Sequence, residues 1–116
     1  MKTFWKNDQV PEAPYYAVIF ISRKGEVPDE YHSTDDQLMQ DVQLQAGFLG
    51  YTSISSAGGG VFISYWKDET AIESWKQHSL HLYAKGKARS WYQYYHSMVC
   101  RVESSRLFEK NVASQL

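Results

Sequence analysis

Cysteine is almost missing from this chain: Cys100 stands alone, so no intrachain disulfide can form and a cysteine-rich zinc framework has no ligands. Stability has to come from packing. An excess of one charge is missing as well, since 12 Lys/Arg against 13 Asp/Glu leave a formal net charge of −1. That balance offers no electrostatic footprint for a polyphosphate and argues against a nucleic-acid partner. No stretch reaches the roughly 18 uncharged apolar residues of a spanning helix, and the opening MKTFWKNDQVPEAP lacks the apolar core of a secretory signal. The expectation is a cytoplasmic protein with no membrane partner. Proline is confined to Pro11, Pro14 and Pro28. Because proline fixes φ and lacks a backbone donor, Pro11-Glu12-Ala13-Pro14 cannot continue regular structure, and residues 1–14 are read as an arm. A length of 116 residues allows one domain, taken as 15–108, with a tail over 109–116.

Aromatic side chains are plentiful, at 16% of residues, enough to build a core or a flat apolar pocket from rings. Tyr15 to Arg23 is rich in β-branched and aromatic residues and ends at the Lys24-Gly25 turn signal, so it reads as a strand. From Asp29, the residues Tyr31, Leu38, Val42 and Ala46 recur at helical spacing until Gly47 stops the run. Two strand-like runs, Phe48 to Ser55 and Val61 to Lys67, flank the small residues Ser56 to Gly60 and predict a hairpin. Asp68 supplies an N-cap for a second helix whose stripe is Ala71, Trp75, His78 and Leu82, ending between Ala84 and Ser90. Trp91 to Glu103 is the last strand. The order βαββαβ predicts an α+β, ferredoxin-like fold with a four-stranded antiparallel sheet.

Two helices cover one face of such a sheet, so the other should alternate with polar residues. It does not. Tyr15, Ala17, Ile19 and Ile21 point one way and Tyr16, Val18 and Phe20 the other, and leaving either set wet would forfeit several kcal/mol at about 25 cal/mol per Å². A second copy stacked on the open face is the simplest cover, which predicts a homodimer closing a barrel-like double sheet.

His78 and His81 lie three apart on the second helix, but two histidines need a third ligand from elsewhere, and no metal is expected. Gly58-Gly59-Gly60 precedes a strand and lacks the ending of a phosphate loop. Asp29, Glu30, Asp35, Asp36 and Asp41 read as the solvated face of the first helix. His96 and Cys100 share a strand face about 13 Å apart, too far for a base and its nucleophile. Trp75 and His78 remain, one turn apart on one stripe, as a ring and a titratable imidazole placed together.

Gly47-Phe48-Leu49-Gly50, then Ile63 through Ile72, and Trp75-Lys76-Gln77-His78 resemble the antibiotic biosynthesis monooxygenase family, over about Tyr15 to Phe108. The resemblance implies a dimeric α+β barrel with a pocket between sheet and helices in each subunit. It further implies a cofactor-independent monooxygenase that uses dioxygen on a small aromatic such as a quinol, an anthrone or a related phenol. In the haem-degrading branch a histidine lies further along the second helix, where this chain has Lys85, and an asparagine stands in the first strand, where Tyr15 to Arg23 has none. Haem binding or degradation is thus the alternative, and a non-catalytic ligand binder another. The expected catalytic residues are His78 as base or orienting group and Trp75 as ring wall. Phe20, Ser64, Trp66 and His96 are the expected pocket residues, with the strand parity that faces the helices left open.

Overall fold

The computed structural model describes residues 1–26, 29–86 and 90–110, the side chains of 29–31 and 80–86 excepted. Five strands, β1 (Lys2–Trp5), β2 (Tyr15–Lys24), β3 (Phe48–Ser56), β4 (Gly59–Trp66) and β5 (Tyr92–Val102), form one antiparallel sheet in the order β1-β3-β4-β2-β5. Helices α1 (Asp29–Val42) and α2 (Glu69–Gly86) connect them. The last four strands have the ferredoxin-like order, and β1 adds a fifth at the edge. The expected count of four falls short because residues 2–5, placed in an irregular arm, pair with β3 from Lys2↔Ser53 to Trp5↔Gly50. Phe4 stacks near Phe48 and Tyr51 on one face, and Trp5 lies 4.6 Å from Tyr65 on the other. Two adjacent rings thus clamp both sides of the sheet edge.

Two local features explain the glycines of Gly47-Phe48-Leu49-Gly50. Gly47 adopts φ +82°, and a Cβ there would sit 2.6 Å from the Ala71 Cβ on α2. A Cβ on Gly50 would strike the Phe4 carbonyl of β1. Helix α1 ends at Val42, short of the expected Ala46, because glutamine amides collect its last carbonyls: Gln43 Nε2 donates to Met39 O at 2.8 Å and Gln45 Nε2 to Asp41 O at 3.1 Å. Helix α2 begins where its cap predicts, with Asp68 Oδ1 accepting from Ala71 N at 2.8 Å.

Residues opposite one another across a ladder share a face, which resolves the parity. Tyr16, Val18 and Phe20 pair with Trp66, Ser64 and Phe62. These side chains face the helices, and the core of Val42, Phe48, Tyr51, Trp66 and Ile72 forms there. Ala17, Ile19 and Ile21 pair with Tyr65, Ile63 and Val61, and with Cys100, Met98 and His96, on the face that neither helix covers. Both faces are apolar, as expected.

Candidate functional site

The helix face of the sheet carries a continuous run of rings. Trp66 is fully buried, and its indole Nε1–H donates to the buried Ser64 Oγ at 2.8 Å. The two are neighbours on one face because they are two residues apart on β4. Trp66 meets the edge of Phe48 at 5.5 Å and stacks on Trp75 at 6.1 Å. Trp75 in turn lies 5.7 Å from the imidazole of His78, one turn further along α2. Sheet, helix and imidazole are therefore joined by ring contacts, and Trp75 and His78 are its partly exposed outer members.

His78 is held from α1. Its Nε2 lies 2.8 Å from Asp41 Oδ2, and Gln37 Nε2 donates to the other carboxylate oxygen at 2.7 Å. An ionised carboxylate has no proton to give, so the hydrogen in the first contact sits on Nε2, which in the neutral ring makes Nδ1 the nitrogen with the lone pair. The bond from His78 holds the Asp41 carboxyl below the usual value of 3.8; partial burial opposes this shift, and the Gln37 bond and the His78 charge add to it. Side-chain exposure is 41% for His78 and 18% for Asp41, so the imidazole is the member a ligand can reach.

Of the expected site residues, Trp75, His78, Trp66 and Ser64 come together here. Phe20 shares their face but belongs to a second cluster, stacked 5.8 Å from Tyr95 with Tyr92 edge-on at 5.6 Å. It lies four residues along β2 from the Trp66 register, about 13 Å away. Tyr95 is 52% exposed and Val99, on the same face, 57%, so the helix layer leaves the β5 side of this face open. His96 is corrected: it pairs with Ile21 on the opposite face, because an even strand number on β5 falls with an odd one on β2 in this register. The side chain of His81 falls outside the described residues. Among those described, no group of three or more His, Cys, Asp or Glu could hold a metal, and no helix is long and apolar enough to cross a membrane. An open cleft of about 620 Å³, lined by Lys6, Asn7, Gln9, Val10, Pro11, Glu12 and Leu49, lies along the N-terminal segment.

In the sequence Asp41 is one of several acids on a solvated face, and its one distinguishing signal there is its place next to the buried Val42, at the edge of the apolar stripe.

Over 105 residues the chain is 43% identical to the uncharacterised protein YqjZ of Bacillus subtilis (strain 168), covering 89% of this chain and 92% of YqjZ. The chain belongs to the YqjZ family. No protein-family model matches it. Among solved structures, a mutant form of SnoaB, a cofactor-independent oxygenase from Streptomyces nogalater, superposes with a TM-score of 0.65 at 15% identity, over 80% of this chain and 97% of SnoaB. A protein described as an antibiotic biosynthesis monooxygenase gives a TM-score of 0.57 at 17% identity, over 78% of this chain and 99% of its own. This member of the YqjZ family therefore has the fold of the antibiotic biosynthesis monooxygenases.

Proposed function

We propose that this protein is a cytoplasmic, homodimeric, cofactor-independent monooxygenase acting on a small electron-rich aromatic, with residues 15–108 as the catalytic unit. The observation that carries the reading is the Trp75–His78 pair, a flat wall beside a reachable imidazole, in a fold shared with an oxygenase described as cofactor-independent. An anthrone or quinol needs no metal or flavin once deprotonated, because its carbanion or phenolate is oxidised by dioxygen directly. For an anthrone the balance is R₂CH₂ + O₂ → R₂C=O + H₂O. The protein has to supply a base, a flat apolar cavity and exclusion of water. His78 is the base and Trp75 the wall, with Ser64 and Trp66 supporting that wall from beneath. Phe20 and Tyr95 form a second ring platform on the same face. Ile19, Ile21, Val61, Ile63 and Met98 form the apolar face on which a second copy packs.

For the haem alternative, the Asp41 bond occupies Nε2 of His78 and leaves Nδ1 as the one nitrogen of that ring able to meet iron. The test is oxygen uptake by the purified protein over a panel of anthrones and hydroquinones, with label from ¹⁸O₂ read in the product. Enzyme-dependent uptake with one labelled oxygen per product supports the reading. Saturable binding without uptake makes the protein a ligand binder instead.

A further inference from the structure

We propose that Asp41 is a positioning residue of this site: its carboxylate, itself held by Gln37, commits Nε2–H of His78 to α1 and makes Nδ1 the nitrogen offered to the substrate. This rests on the reading that His78 is the proton acceptor.

Three observations support the assignment. First, the partners are 37 residues apart and come from different helices, so the bond is a product of tertiary packing and not of helical spacing within one element. Second, the imidazole is restrained on two sides, by the 2.8 Å bond to Asp41 and by the Trp75 ring at 5.7 Å. Its χ2 torsion is thereby restricted. Third, Asp41 is itself oriented, because Gln37 one turn earlier on α1 donates to Oδ1 at 2.7 Å and leaves Oδ2 aimed at the ring. An unstructured surface ion pair would leave both partners wet; here the imidazole is more than twice as exposed as the carboxylate.

The chemistry follows from that asymmetry. One proton passes from the anthrone methylene or phenol to the Nδ1 lone pair, and the bonding electrons stay on the substrate. The imidazolium keeps Nε2–H on Asp41, whose negative charge offsets the new positive one. Dioxygen then takes the electrons, one oxygen atom stays on carbon, and the proton held on Nδ1 leaves in the water released. His78 and Asp41 end as they began.

The experiment uses the full chain with 1,8-dihydroxyanthrone as probe, oxygen uptake corrected for autoxidation, and the variants His78→Ala, Asp41→Asn and Asp41→Glu. Asp41→Asn should lower kcat by about tenfold or more with KM little changed, and Asp41→Glu should restore part of the loss. The melting temperature of Asp41→Asn should stay within about 5 °C of the wild type, as for a partly exposed pair. In ¹⁵N spectra of the wild type, the neutral His78 ring should carry its proton on Nε2. A neutral ring protonated on Nδ1 overturns the proposal whatever the activity. Uptake lost in His78→Ala but unchanged in Asp41→Asn overturns the role of Asp41 and leaves His78 standing as base, whereas uptake that survives His78→Ala refutes the reading of His78 itself.

Discussion

Replacing Ser64 by alanine separates a supporting hydroxyl from one kept for a ligand. Trp66 is 0% exposed and Ser64 3%, and the Trp66 indole N–H donates to the Ser64 hydroxyl at 2.8 Å. Ser64→Ala removes the acceptor and opens no space for water beside the indole, so a buried donor loses its partner at a cost of about 1–3 kcal/mol. A two-state domain of 116 residues loses stability at about 0.24 kcal/mol per kelvin near its midpoint, so the melting temperature should fall by about 4–12 °C. The assay is calorimetry or circular dichroism at one fixed protomer concentration, since a dimer melts in a concentration-dependent way. Trp66→Phe and the double variant complete a cycle. With both polar partners gone no donor is stranded, and the double variant should cost about 1 kcal/mol less than the two single changes together. A Ser64→Ala protein that melts with the wild type, and shows no coupling to Trp66→Phe, refutes the reasoning. It would mean that the hydroxyl does not satisfy the indole and is free to meet a ligand.

Gly47→Ala should destabilise by about 1–3 kcal/mol in urea unfolding, because φ is +82° and the new methyl lies 2.6 Å from the Ala71 Cβ. The lowered Asp41 carboxyl sets a pH dependence: the unfolded chain takes up the proton first, so the contribution is complete above about 3.8 and is lost as pH falls through the lower native value. With 41% of the His78 side chain exposed, this amounts to less than about 1 kcal/mol. Wild type and Asp41→Asn should therefore converge in stability as urea titrations are moved from pH 5 towards pH 3. Light scattering should give a mass near twice 13.5 kDa, and Ile63→Asp, in the centre of the face that neither helix covers, should shift it to the monomer; a stable wild-type monomer would remove the case for stacked sheets.

What the sequence determined by itself was everything with a local physical signature. The βαββαβ order followed from where a period of two gives way to one of 3.6, the hairpin from its run of small residues, and the start of α2 from the carboxylate of Asp68. The apolar character of both strand faces was equally legible, because alternation along Tyr15 to Ile21 needs no partner to be seen. Parity was not legible, since two apolar faces look alike until a helix covers one; that ambiguity put His96 with the pocket residues when its register with Ile21 turns it away. Strand β1 was invisible for another reason: four residues carry no period, and their order comes from the β3 ladder and from Phe4 and Trp5 gripping opposite faces. The Asp41–His78 bond lay furthest out of reach. Nothing within α1 or α2 prefers a partner 37 residues away, and only the packing of the two helices over one sheet brings the carboxylate to the imidazole.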